Sequence, residues 1–339
     1  MSILVIDLGT SSIRAAIVRP DGSLDHEVRR ATLPDTPFAG LVEFDARAYA
    51  DTAMECAREA LSHVGSVEAV GISNQRASTI IWDRSTGEPV APAQGWQDLR
   101  TLGDCLVLNA EGFRLAPNLS ATKIANILDA VDPGRERDLC FGTPDSWLVW
   151  NLSQGESHIS DLSNAGIWGL LNVGAETYNS ALLERLRIPE SVLPTIVDST
   201  GDLASASALD GAPPIRGIAG DQQASLIGQA CVRPGAAKIT FGTGGMLDVC
   251  LDDQRPSFET RGEGGTFPLI AWRQAGRVTW GVEAIMLAAG TNIEWLRDDL
   301  GLISDAADSE RVAASVEDAG GAVYVPALLG LGTPHWDYG

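Results

Sequence analysis

Two stretches far apart in this chain share one local pattern. An apolar run, Ile3 to Ile6, ends in Asp7-Leu8-Gly9-Thr10-Ser11-Ser12, and apolar residues resume at Ile13, Ala15, Ala16, Ile17 and Val18 before a Pro20-Asp21-Gly22 turn. Much later, Ala237 to Phe241 ends in Gly242-Thr243-Gly244-Gly245, and Met246 to Leu251 follows. Each reads as strand, Gly/Thr turn, strand. Backbone N–H groups of such a turn can cradle phosphate, hydroxyls add donors, and a carboxylate such as Asp7 can hold hydrated Mg²⁺. One turn of this kind is equally an ordinary polar hairpin. Two of them, about a domain apart, point to a duplicated α/β fold with phosphate held between the halves. The chain has no GxxxxGK, so the cradle is not a Walker loop, and it has no GxSxG or HExxH.

A third stretch, Gly217-Ile218-Ala219-Gly220-Asp221-Gln222-Gln223-Ala224-Ser225, reads as a strand end, a tight turn and a helix start. Ala224, Leu226, Ile227 and Ala230 follow at helical spacing. Asp221 at that turn can take a proton from a bound hydroxyl, and the neighbouring amides can orient it. An aspartate there also simply caps a helix.

At 339 residues the chain has room for two domains, expected at 1–231 and 232–339. Twenty-four Lys and Arg against forty-five Asp and Glu give a net charge of -21. Such a surface argues against nucleic acid and anionic membranes as partners, yet it permits a nucleotide bound locally with Mg²⁺. The five cysteines are scattered without a CxxC, which fits a reducing compartment, and the four histidines suggest no zinc site. There is no basic leader segment and no apolar run long enough for a membrane span, so a cytoplasmic location is expected.

Between the hairpins the pattern is α/β. Asp45 is placed to cap a helix reaching about Val64, with Tyr49, Ala53, Ala57, Ala60 and Leu61 on one face. Val67 to Ile72 reads as a buried strand that delivers Ser73-Asn74-Gln75-Arg76 to its C-terminal end, where open α/β sheets place ligands. Thr79 to Trp82 reads as another strand. Arg76, Trp96, Gln97 and Asp98 form a plausible hydroxyl-binding set, or a surface ion pair beside a core tryptophan. Residues 101–135 read as two helices broken near Pro117, Thr143-Pro144-Asp145-Ser146 opens another, and Leu182 to Leu186 is a short one. Ser160 to Asn164 reads as a polar turn, Trp280 to Leu300 as containing a long helix, and Val323 to Ala327 as a late strand.

Taken in order, these motifs resemble the FGGY carbohydrate kinases. The matching stretches are Asp7 to Arg14, Gly71 to Arg76, Trp96 to Thr101, Phe141 to Leu148, Gly217 to Gln223, Phe241 to Gly244 and Gly330 to Asp337. The resemblance implies an actin-like ATPase fold of two ribonuclease-H-like α/β domains, the second incomplete because the family's C-terminal third is missing. It implies ATP-dependent phosphorylation of a polyol or sugar hydroxyl, with ATP and Mg²⁺ as cofactors. Carried over, Asp221 is the general base, and Asp7 with Asp221 supports the metal. Thr10, Ser11, Ser12, Arg14, Gly242, Thr243 and Gly244 lie near the ATP phosphates, and Arg76, Trp96, Asp221, Gln222 and Met246 line the polyol pocket.

Four positions depart from the glycerol-type pattern. Ala77 stands where a glutamate follows Asn-Gln-Arg, and Asn118 where a tyrosine precedes the Lys123 motif. Asn126 replaces a tryptophan and Met246 a phenylalanine. A roomier pocket is expected, for a longer polyol or a sugar, with glycerol a poor substrate. The incomplete second domain raises two alternatives, a non-catalytic binding fragment and a nucleotide hydrolase of the same fold. It also predicts an exposed sheet edge and self-association, possible as a homo-oligomer.

Overall fold

The computed structural model describes residues 2–172, 177–257, 264–328 and 330–337. The chain divides into two compact units, one of residues 1–224 with 272–278 and one of residues 225–271 with 279–339.

The first unit is built on a mixed six-stranded sheet. In chain order its early elements are β1 (Ile3–Leu8), β2 (Ser12–Val18), β3 (Leu24–Ala31), β4 (Glu43–Phe44), α1 (Ala46–Ser62), β5 (Ala69–Asn74), β6 (Ile80–Asp83) and β7 (Ala93–Gln94). Then come α2 (Leu102–Ala110), α3 (Ala121–Val131), β8 (Leu139–Gly142), α4 (Pro144–Leu152), β9 (Ile159–Asp161), α5 (Leu162–Ala165) and α6 (Ser180–Leu186). Strands β10 (Thr195–Val197), β11 (Thr200–Ser205) and β12 (Pro214–Gly220) lead into α7 (Asp221–Gly228).

The main sheet runs β11-β12-β5-β1-β2-β3. Its centre is parallel: β5 lies between β1 and β12 and runs the same way as both. Alternation along β1 buries Leu4, Ile6 and Leu8. These join Ile13, Ile17, Val70, Ile72, Ile215 and Ile218 in one core, closed by Ala53, Ala57 and Leu61 of α1 and by Leu148, Val149 and Leu152 of α4. Helix α1 begins where Asp45 Oδ1 accepts from the Arg47 and Ala48 amides at 2.8 and 3.0 Å. In a second cluster Trp82 meets Trp147 and Trp150 in tilted contacts, with ring centroids 4.9 and 5.7 Å away.

The second unit carries a sheet ordered β13-β14-β16-β15, from β13 (Ala237–Phe241), β14 (Gly245–Asp252), β15 (Phe267–Gln274) and β16 (Arg277–Met286). Helices α8 (Gly290–Asp298) and α9 (Asp308–Ala313) follow, and neither has a buried residue.

Three sequence expectations need correction. The long helix expected within Trp280 to Leu300 is a strand through Met286, then a nine-residue helix. Val278, Trp280, Val282 and Ala284 alternate at strand period, and only Gly290 onward is helical. Val323 to Ala327 lies in no strand. Ser160 to Asn164 is no surface turn: Ser160 and Asp161 end β9, Leu162 to Ala165 form α5, and all of Ser160, Asp161, Ser163 and Asn164 are fully buried.

Candidate active site

The parallel strands of the first unit end in step. Leu8, Asn74 and Gly220 are neighbours across the ladder, as are Asp7, Ser73 and Ala219 one residue earlier. Ligands gather at this end of an open α/β sheet because the chain turns outward there and leaves donors and acceptors uncommitted to the ladder. Asp221 opens α7 immediately after Gly220, and Asp7 sits one residue before the end of β1. Both expected carboxylates therefore reach one edge of one sheet. They feel each other: burial lifts the Asp7 carboxyl above its ordinary range, the Asp221 charge lifts it further, and Ser73 and Arg14 oppose the rise. Arg14 is exposed on β2, directly opposite Asp7 in the register.

Arg76 follows β5, and its Nε lies 3.4 Å from Asp221 Oδ1 with the guanidinium largely buried. The aliphatic part of Arg76 packs on Gly220, where an added Cβ would stand 2.8 Å from Arg76 Cγ. Glycine is thus required there by close approach. Asp221 Oδ1 also accepts from the Gln222 amide at 2.8 Å, and Gln222 is buried.

The β1–β2 turn is fastened by side chains. Thr10 Oγ1 donates to Gln75 Oε1 at 3.1 Å and accepts from Trp96 Nε1 at 3.0 Å. Tyr49 Oη donates to the Gly9 carbonyl at 2.8 Å, and Gln75 Nε2 donates to Tyr49 Oη at 3.0 Å. Burial drives the Tyr49 phenol well above its usual range, so it stays a donor. Ser11 is exposed and Ser12 is buried in β2. Trp96 thereby links the expected polyol wall to the expected phosphate turn. Gln75 and Tyr49 were missed as site residues; the Asn-Gln-Arg triplet was the only sequence signal for Gln75.

Asp98 departs from the expected hydroxyl-binding set. It is fully buried, accepts from the Val42 amide at 2.7 Å, and pairs with Arg100 at 2.8 Å. Those donors hold its carboxyl below the usual range although burial opposes them. Gln97 is exposed. Lys123 is also fully buried and donates to the Pro117 carbonyl and, at 3.1 Å, to the Leu119 carbonyl, which ties down the loop carrying Asn118. Desolvation lowers the Lys123 ammonium to about 8. Ala77 is buried at left-handed φ 62°, and its carbonyl accepts from Ser120 Oγ at 3.0 Å.

In the second unit, Gly242, Thr243 and Gly244 form the β13–β14 turn, and Gly242 N donates to Gly244 O at 2.9 Å. The turn seats on the start of α8: Gly290 N donates to Gly242 O, and Ala289 N to Thr243 O, each at 2.8 Å. Thr243 is exposed. Met246 lies half-buried in β14, between Thr240 and Ile285 in the register.

Among the described residues no group of three or more His, Cys, Asp or Glu could hold a metal ion, and no helix is long and apolar enough to cross a membrane. The five cysteines are buried free thiols.

Strand-end carboxylates, a largely buried guanidinium and a hydroxyl-bearing turn thus gather at one end of this sheet. The chain belongs to the FGGY family of carbohydrate kinases, whose N-terminal domain matches residues 2–228. It is 41% identical to the glycerol kinase of Aromatoleum aromaticum, over 99% of this chain and 71% of that protein. Among solved structures, Plasmodium falciparum glycerol kinase with ADP superposes with a TM-score of 0.90 at 24% identity, over 99% of this chain and 71% of that one. Xylulose kinase from Lactobacillus acidophilus gives 0.84 at 19% identity, over 99% and 70%. The fold is the actin-like ATPase fold, and the protein is a carbohydrate or polyol kinase by family.

Proposed function

We propose that the protein transfers the γ-phosphoryl group of ATP to a hydroxyl of a small polyol or sugar, with Asp221 as general base. The observation that supports this most is the in-step ending of β1, β5 and β12, which delivers Asp7, Arg76 and Asp221 to one sheet edge. Asp221 takes the proton as the substrate oxygen attacks phosphorus. Arg76, beside it, binds a neighbouring hydroxyl and orients the acceptor. Trp96 gives the carbon skeleton an apolar wall, and Gln222 offers amide donors and acceptors. Phosphoryl transfer asks mainly for positioning and charge neutralisation. The backbone of the two turns and the hydroxyls of Thr10, Ser11, Ser12 and Thr243 supply phosphate donors, and Arg14 supplies positive charge. We assign residues 1–231 to the polyol and residues 232–339 to the nucleotide.

Mg²⁺ fits the residues present. Two carboxylates close enough for one to lift the other's pKa favour a cation beside them, and Mg²⁺ typically takes one or two carboxylates with substrate phosphates and water. Asp7 and Asp221 would hold it, and it would neutralise phosphate charge.

The substrate is proposed to be longer than glycerol. Ala77 puts a methyl group where the glycerol-type pattern has a glutamate side chain, which leaves room for a further carbon and hydroxyl of the substrate near Arg76 and Asp221. A polar group left unmatched in such a site costs about 1–3 kcal/mol, one to two powers of ten in specificity. The test is turnover of Mg-ATP with glycerol, erythritol, xylitol and a pentulose, each with wild type and Asp221→Asn. Consumption of ATP only when polyol is present, with a ~10²–10⁴-fold lower kcat in the variant, is expected. Polyol-independent hydrolysis would make the protein a nucleotide hydrolase instead. A hundredfold preference for glycerol would overturn the substrate reading alone.

A further inference from the structure

The expected polar turn at Ser160 to Asn164 is a fully buried hub that none of the chemistry above employs. Asp161 accepts five hydrogen bonds. Its Oδ1 accepts from Ser163 Oγ at 3.0 Å, Asn164 N at 3.1 Å and Asn164 Nδ2 at 2.9 Å. Its Oδ2 accepts from Ser163 N at 3.0 Å and Ser199 Oγ at 2.6 Å. A side chain that only accepts is the one able to satisfy five donors at once, which is why a carboxylate stands here and not an amide.

The hub reaches the ends of two strands. Ser163 Oγ passes its hydrogen to Asp161 and accepts from the Gly220 amide at 3.1 Å. Asn164 and Asn74 exchange amide hydrogen bonds in both directions, at 2.9 and 3.0 Å. Gly220 and Asn74 are register partners, so α5 clamps β12 and β5 at the same rung. Gln223 Nε2 donates to the Ser163 carbonyl at 3.3 Å, which adds the first turn of α7 to the clamp. Asp221 and Arg76 both depend on that rung: Asp221 is bonded to Gly220, and Arg76 packs on the Gly220 α-carbon.

We infer that Asp161 and Ser163 are positioning residues that fix the Gly220 backbone and thereby aim the Asp221 carboxylate and the Arg76 guanidinium at the substrate. This rests on the proposed role of Asp221. Low-dielectric, fully satisfied polar networks are rigid, and rigidity is what a base carried on the first residue after a strand end requires.

Ser199 provides the control. Its Oγ also donates to Asp161, and it accepts from the Arg273 amide at 3.1 Å, yet it makes no bond to Gly220. Ser163→Ala, Ser163→Thr and Ser199→Ala are compared in the full chain for kcat, KM, melting temperature and exchange of the Gly220 amide hydrogen. Ser163→Ala is expected to lower kcat about tenfold to a hundredfold with KM for Mg-ATP unchanged, and to deprotect the Gly220 amide. Ser163→Thr restores both, and Ser199→Ala keeps kcat although it melts earlier. Equal kcat losses in Ser163→Ala and Ser199→Ala would overturn the inference, as would an unchanged Gly220 amide in Ser163→Ala. If the wild-type chain turns over no polyol, the proposed function fails, and the Gly220 amide alone decides whether this clamp holds the strand end.

Discussion

Between β1 and β2, Thr10 is held by the indole of Trp96 and the amide of Gln75, and Gly9 by the phenol of Tyr49. Between β13 and β14, Gly242 and Thr243 are held by main-chain donors at the start of α8. The two turns have the same outline in sequence and different fastenings. The first can be loosened one side chain at a time. The second has one such handle, Thr291 Oγ1, which donates to the Thr243 carbonyl at 3.1 Å, and rests otherwise on main chain: glycine lets two backbones meet, and a Cβ at Gly290 would stand 2.7 Å from the Gly242 carbonyl oxygen. Turns of similar sequence need not respond alike to mutation.

Gly290→Ala should give the largest effect. The methyl group meets a backbone oxygen, which cannot rotate away as a flexible side chain could, so the turn must lift off α8. The expected cost is about 3 kcal/mol, the upper end of the overpacking range, with a rise in KM for Mg-ATP of about a hundredfold. Gly9→Ala is the comparison, because its Cβ would also meet an oxygen at 2.7 Å, that of Ser12. That oxygen belongs to the same turn, which can open locally while Tyr49, Gln75 and Trp96 keep hold. Calorimetric melting and nucleotide titration of both variants check this. A Gly9→Ala variant as damaged as Gly290→Ala would break the contrast.

A smaller effect should separate the two units by pH. Asp145 is fully buried, accepts from Thr143 Oγ1 at 2.6 Å and Ser160 Oγ at 2.5 Å, and is lifted to about 6, first by burial and then, against those hydrogen bonds, by the Asp161 charge. The folded value lies above the unfolded one of 3.8. Between the two values the folded state binds a proton that the unfolded state releases. Asp145 therefore contributes stability at low pH, which is lost as pH rises through about 6. Relative to Asp145→Asn, wild type should lose about 2 kcal/mol between pH 4 and pH 6, with one pKa unit corresponding to ~1.4 kcal/mol. Amide exchange in β1, β2 and β5 should follow that difference, and exchange in the β13–β14 turn should not. A flat difference across this range would remove Asp145 from the account.

Much of the placement of the candidate site was legible beforehand because its residues sit at element ends. Asp45 as a cap, the Asp221 strand-to-helix junction and the Asn-Gln-Arg strand end each combine a period change with a punctuating residue. The hub at Asp161 was not legible, because polar residues in a row look like a surface turn until tertiary packing buries them. Asp98 was open between hydroxyl binding and an ion pair, and sequence proximity to Trp96 could not choose: it pairs with Arg100, in the interior rather than on the surface. The strand through Met286 was hidden by the apolar run Ile285 to Ala288, which joins a period-2 segment to a helix without a break.

Trp96→Phe should have the smallest effect and the most specific one. Phenylalanine keeps an aromatic wall but removes the Nε1 donor to Thr10 Oγ1. Thr10 retains its bond to Gln75, so the turn loses one fastening of several. One neutral hydrogen bond is worth about 1 kcal/mol net, or ~2–4 °C in Tm for a unit of this size. If Trp96 serves the polyol only as a wall, KM for polyol should stay within about threefold. KM for Mg-ATP should rise about fivefold, because Thr10 and its turn become looser. Thr10→Val, which deletes both bonds, should enlarge the same nucleotide effect and leave the polyol wall intact. A change confined to polyol KM would show that the Trp96–Thr10 bond does not fasten the first turn, and the side-chain half of the contrast would then rest on Tyr49 and Gln75.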